Sequence, residues 1–197
     1  AGYISKKMGL PIKKIIIGSN KNDILTRFFK TGRMEIKKTL TSLSPSMDIQ
    51  VSSNFERLLF DFYENGNMIK KLFYKLEKKK EFSIADTHLK KMRETFGYGR
   101  LSDSETKKTI NQIYNRYKLI IDPHTAVGIS VGDKELANKE KRIYLATAHY
   151  AKFIKTVKES VKKKVDYPVK LEKILKKKEK FKIIENDLDQ LKKLIAN

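Results

Sequence analysis

A short helical segment that runs directly into an apolar strand, at residues 2–18, restricts the fold more than any other feature of the chain. Gly2 to Met8 carries a helical pattern, and Gly9 is suited to end it. Leu10-Pro11-Ile12 then leads into a buried strand, Lys14-Ile15-Ile16-Ile17-Gly18. A helix followed at once by an apolar strand is half of a βαβ unit, so an earlier strand and turn are expected upstream. On this reading the sequence is the C-terminal part of a larger α/β protein.

The alternation continues down the chain. A polar turn, Gly18 to Asp23, leads to a short helix at Ile24–Lys30, with Asn22 or Asp23 as its cap. A hydroxyl-rich loop around Leu40 to Asp48 ends at Ser53-Asn54-Phe55-Glu56, whose spacing is that of a capping box, before a helix to about Glu64. Met68, Leu72, Phe73 and Leu76 mark another helix, and Leu89, Met92 and Phe96 a third, followed by a hinge or turn at Gly97-Tyr98-Gly99. Ser102 and Glu105 form a second capping-box pattern that opens a helix to Tyr117, and Asp122 is placed to cap a helix with Pro123 in its first turn. Strands are expected at Leu119–Ile121, Arg142–Ala148 and Phe181–Ile184, with helices after His149, around Leu171–Leu175 and from Asp187 to Ile195. The expected fold class is α/β, a Rossmann-like three-layer parallel sheet with flanking helices. It divides into residues 1–66, a helical insertion at 67–100, and residues 101–197.

Composition narrows the function. The 197 residues are 40% hydrophobic, enough for a packed domain. No window approaches the roughly 18 uninterrupted apolar residues of a membrane span. The absence of cysteine excludes disulfides, thiolate zinc sites and cysteine nucleophiles, and fits a reducing, cytoplasmic setting. A net charge of +21 raises a nucleic-acid-binding reading. Against it, only seven of the 44 basic residues are Arg, the side chain best suited to phosphate forks and base edges, and the lysines are spread over nearly every helix.

Chemical motifs are sparse. Gly-x-Gly-x-x-Gly, a Gly-Lys-Thr phosphate loop and a His-x-x-x-His pair are all absent from the sequence. His124 and His149 each follow an apolar segment at its carboxyl end, where α/β sites gather, but a capping or core role fits them equally; His88 belongs to the insertion and reads as a surface residue. Thr147, at a strand-to-helix junction, offers a neutral donor suited to a ring nitrogen that stays unprotonated, or else caps the helix that follows.

Five ordered segments carry a family resemblance: residues 1–12, Ser44-Pro45-Ser46-Met47-Asp48-Ile49, Ser52 to Arg57, Asp122 to Gly128, and Thr147-Ala148-His149-Tyr150-Ala151-Lys152-Phe153. Together they resemble the C-terminal half of threonine synthase, a pyridoxal-phosphate enzyme of the tryptophan-synthase-β fold type. One departure is Tyr150, where the family usually has Pro. The resemblance implies a lyase that converts O-phospho-L-homoserine and water to L-threonine and phosphate, with Thr147 contacting the pyridine nitrogen of pyridoxal 5'-phosphate. It also implies that the Schiff-base lysine and the Gly-Asn-rich phosphate loop belong to the N-terminal half, the structural complement of this chain. No catalytic residue is therefore assigned here, and the chain alone is expected to be inactive and to bind the cofactor weakly or not at all. Asn20, Arg33, Ser44 and Ser46 are candidates by chemistry for gripping the substrate phosphate. A basic nucleic-acid-binding or scaffold domain without catalysis is the alternative.

Overall fold

The computed structural model describes residues 1–136 and 141–196. They form two units, Ala1–Val165 and Asp166–Asn197. The first unit opens with α1 (Gly2–Lys7), β1 (Ile15–Ser19), α2 (Ile24–Thr31) and β2 (Arg33–Glu35). A 3-10 turn at Pro45–Met47 precedes α3 (Ser53–Tyr63), α4 (Gly66–Lys79), β3 (Glu81–Ser83), α5 (Asp86–Thr95) and β4 (Phe96–Arg100). Next come α6 (Asp103–Tyr117), α7 (Pro123–Glu135), a second 3-10 turn at Tyr150–Phe153 and α8 (Ile154–Val161). The second unit contains α9 (Val169–Leu175) and α10 (Leu188–Ala196).

The class is mixed α/β with a parallel sheet and many helices. β1 and β4 pair in parallel from Ile15 opposite Phe96 to Ser19 opposite Arg100, while β2 and β3 pair antiparallel. Gly97-Tyr98-Gly99 is therefore strand, not hinge. The glycines serve close approach: a Cβ on Gly99 would stand 2.7 Å from Val131 Cγ1, and one on Gly18 would stand 3.2 Å from Val127 Cγ1. Strand glycines commonly mark a site where a neighbouring element lies this near.

Aromatic rings fill the main core. Phe28 meets Phe55 edge-on at 4.7 Å and Phe29 at 5.5 Å, and Tyr3 reaches Phe96 at 5.5 Å, which ties α1 into the same cluster. Leu72, Leu76, Phe82, Leu89, Met92 and Phe96, all from residues 67–100, belong to this core together with Ile24 and Phe28. A second core joins α6, α7 and α8 through Ile110, Ala126, Ile129, Val157 and Val161.

Three expected strands are absent: residues 119–121, 142–148 and 181–184 are irregular. Apolar, β-branched sequence makes a strand only where a neighbour accepts its hydrogen bonds. Phe181 and Ile183 are 72% and 89% exposed and have no such neighbour among the described residues. The Ser53–Glu56 capping box also fails to form, because the helix is entered at Ser52, whose side chain makes no capping bond. Asp23 stands at the N-cap of α2 without capping it, and instead pairs with Arg27 and Arg100 at 2.9 Å each.

The Ser102–Glu105 box does form. The Ser102 hydroxyl accepts from Glu105 N, and Glu105 accepts from Ser102 N at 2.9 Å. Lys134 and Ser102 hold the Glu105 carboxyl well below its ordinary 4.5, at about 2. A depressed carboxylate stabilises the fold above its unfolded pKa and loses that contribution as pH falls toward the folded value. Thermal melts between about pH 6 and about pH 2 are therefore expected to show a loss of stability that Glu105→Gln flattens. Gly99→Ala is expected to destabilise the chain by about 1–3 kcal/mol in urea unfolding, with Val131→Ala in the same chain recovering part of the loss.

Candidate functional site

In open parallel sheets ligands are met at the carboxyl ends of the strands. Here β1 ends at Ser19 and enters a turn whose buried amides organise a polar knot. Asn20 Nδ2 lies within donor range of Ser42 Oγ (2.7 Å), Ser44 Oγ (2.9 Å) and Asp48 Oδ1 (2.7 Å). Its Oδ1 accepts from Asn22 N at 2.8 Å. Asn22 pins Leu40 from both sides, donating to its carbonyl at 2.7 Å and accepting from its N–H at 2.8 Å. Asp48 closes the knot, accepting from Asn22 Nδ2 (2.9 Å), Ser42 N (2.9 Å) and Ser42 Oγ (2.5 Å). Lys21 pairs with Asp103 at 2.7 Å, and Asp103 also accepts from Leu43 N at 3.2 Å.

The N-terminus of α7 carries a second polar group. Asp122 accepts from His124 N at 2.9 Å and from Thr125 N at 3.4 Å, which is the expected cap. It also receives the Thr125 hydroxyl and faces His124 Nδ1 at 2.8 Å. Burial disfavours charge on Asp122, yet the hydrogen bonds from His124 and Thr125 outweigh it and hold the carboxyl below its ordinary value. His124 is itself buried.

Residues 141–149 form no regular element, and their anchors lie at both ends. Arg142 Nη1 and Tyr144 OH both reach Asp133 on α7, and Arg142 Nη2 donates to the Leu136 carbonyl at 3.0 Å. The Tyr144 ring lies so close to Gly132 that a Cβ there would stand 2.9 Å from it. At the far end His149 caps the second 3-10 turn, its Nδ1 accepting from Ala151 N at 3.2 Å. Thr147, between these anchors, is exposed, and its hydroxyl makes no hydrogen bond among the described residues.

A family model described as "Threonine synthase, C-terminal" matches residues 125–195, a span that includes Thr147 and His149. Threonine synthase from Eremothecium gossypii is 36% identical over 99% of this chain and 43% of its own length. Among solved structures, a PLP-bound threonine synthase from Brucella melitensis superposes with a TM-score of 0.90 at 36% identity, over 98% of this chain and 42% of that one. The yeast enzyme gives 0.86, also at 36% identity, over 99% of this chain and 44% of that one. The chain belongs to the threonine synthase family. It spans about 43% of the length of the curated relatives it matches, in their C-terminal part.

Within this threonine synthase fold the residues singled out in the sequence fall into distinct groups. Asn20 and Ser44 are buried, and their amide and hydroxyl groups are engaged inside the knot. Arg33 pairs with Glu81 across the β2–β3 ribbon, whereas Ser46 is exposed. His88 stacks on Tyr63 with ring centroids 4.0 Å apart. Sequence reasoning missed Asp48 as the acceptor on which the knot closes. The trace it left was the pairing of an Asn-x-Asn turn with a Ser-x-Ser-x-x-x-Asp loop, whose donors and acceptors are complementary. Asp48→Ala strands several buried donors at once and is expected to cost about 3 kcal/mol in urea unfolding, with a smaller loss for Asp48→Asn.

Proposed function

We propose that this chain supplies one wall of the cofactor cleft of a pyridoxal-phosphate-dependent threonine synthase, which converts O-phospho-L-homoserine and water into L-threonine and phosphate. The observation that carries the proposal is its end-to-end likeness to the C-terminal part of a PLP-bound threonine synthase. The donor set fits the cofactor. Thr147 carries an exposed neutral hydroxyl with no hydrogen-bond partner among the described residues, and the capping role that would otherwise explain it belongs to His149. Such a hydroxyl donates to a ring nitrogen without adding charge beside it. When bound, pyridoxal phosphate supplies the electron sink for the chemistry at the substrate.

This chain's part is to orient. The polar knot fixes the loop from Leu40 to Asp48 at the carboxyl end of β1, and the anchors at Asp133 and His149 hold the segment that carries Thr147. Lys21 is ion-paired with Asp103, so the lysine at the carboxyl end of β1 is committed to holding the turn. The lysine that carries the cofactor and the loop that cradles its phosphate are assigned to an N-terminal complement, and the working enzyme to the cytoplasm. Ile143 and Leu145, 90% and 59% exposed on the Thr147 segment, are apolar surface suited to burial against such a complement.

Co-expression with the N-terminal portion of a family member is expected to restore phosphate release from O-phospho-L-homoserine, with none from the chain alone. Thr147→Ala is expected to weaken cofactor binding by about 0.5–1.5 kcal/mol, about twofold to tenfold, as read by absorbance titration. A cofactor absorbance band formed by the chain alone, and fixed by borohydride onto one of its lysines, would overturn the proposal.

A further inference from the structure

Three segments far apart in the sequence meet on one imidazole. His124 faces Asp122 through Nδ1 at 2.8 Å, receives the Ser46 N–H on Nε2 at 3.3 Å, and packs its ring 4.8 Å from that of Phe153. Ser46 lies in the first 3-10 turn, and Phe153 closes the second, just after the Thr147 segment.

The chemistry of the two neighbours decides where the imidazole proton sits. An ionised carboxylate only accepts, so Nδ1 must carry hydrogen. A backbone N–H only donates, so Nε2 must offer its lone pair. The opposite tautomer would set two acceptors face to face at Asp122 and two donors at Ser46, and the imidazolium would also meet Ser46 with a donor. Asp122 is itself oriented by three further bonds, from His124 N, Thr125 N and the Thr125 hydroxyl.

We propose that His124 is a positioning residue: Asp122 fixes it as the neutral Nδ1–H tautomer, and its bare Nε2 holds Ser46 and the surrounding turn at the carboxyl end of β1. The consequence for catalysis rests on the threonine synthase reading, because it makes His124 the residue that places the exposed Ser46 hydroxyl for a substrate phosphate. The joint itself is a property of this chain. His149 has no such part, since its Nδ1 serves only the local cap.

The test uses nitrogen-15 NMR on the full chain without cofactor, so that it reads the joint whether or not the chain binds pyridoxal phosphate. The expected spectrum has His124 protonated on Nδ1 and bare on Nε2, with a scalar coupling across the Ser46 N–H to Nε2. His124→Phe keeps a ring against Phe153 but removes both nitrogens. It is expected to speed Ser46 amide exchange about twofold to tenfold while core amides of α4 stay unchanged. His124→Gln, which keeps an acceptor within reach, is expected to restore most of the protection. An Nε2–H tautomer in the wild type, or Ser46 exchange that is the same in all three proteins, would overturn the proposal. If His124→Phe does not fold, the wild-type spectrum and the Gln variant decide it.

Discussion

The approach of α7 to the parallel strand pair governs the rest of the first unit. That approach exists because Gly18 in β1 and Gly99 in β4 present no side chain where Val127 and Val131 arrive. Val127 and Val131 form a small buried cluster with Leu101, which follows β4 directly. Helix, strand pair and strand exit are thus one packing unit. Interiors at this density transmit displacement instead of absorbing it, so the Asp122 cap at the start of α7 is fixed relative to the ends of the strands.

From that placement the polar knot follows as a requirement. A chain leaving a buried strand carries backbone groups that must find partners, and the first residues after β1 are buried amides. Asn20 and Asn22 answer this with side chains that mimic backbone, and Asp48 returns from the loop to accept from both. A carboxylate accepting four hydrogen bonds tolerates partial burial, whereas the same site with one buried donor unmatched would incur the desolvation cost of that group. The knot therefore gives the loop a single position, which a binding surface needs before any ligand arrives.

What could be read in the sequence was what depends on neighbours within one helical turn. The helices containing Phe55, Leu72 and Ile110 stand where their periodic apolar residues put them, and the Ser102–Glu105 and Asp122 caps formed because all their atoms lie within three residues. The failures were non-local. Arg142 to Ala148 has the composition of a strand but no strand beside it among the described residues, and its aromatic ring is spent on Gly132 instead. Gly97 and Gly99 looked like a hinge because the side chains that require them are distant in sequence: Ile16 on β1 faces Gly97, and Val131 on α7 faces Gly99. Asn20 and Ser44, singled out for their phosphate chemistry, are bonded to each other inside the knot, and Asn20 also to Asp48, a pairing recognisable only once the loop is folded.

Thr147 is the converse case, an exposed residue whose hydroxyl makes no hydrogen bond among the described residues. Its segment is held at one end by Arg142 and Tyr144 on Asp133, and at the other by the His149 cap, so the stretch between needs no regular hydrogen-bond ladder to keep its course. A hydroxyl inside a helix or strand commonly turns back onto the local backbone. Between two anchors, in irregular chain, it stays available to a partner from outside. Positioning and availability are separate requirements here: side chains at the ends supply the first, and the absence of secondary structure supplies the second. In the proposed cleft a ring nitrogen met by one neutral donor would call for both at once, and an irregular segment suits that role better than the strand its composition suggested.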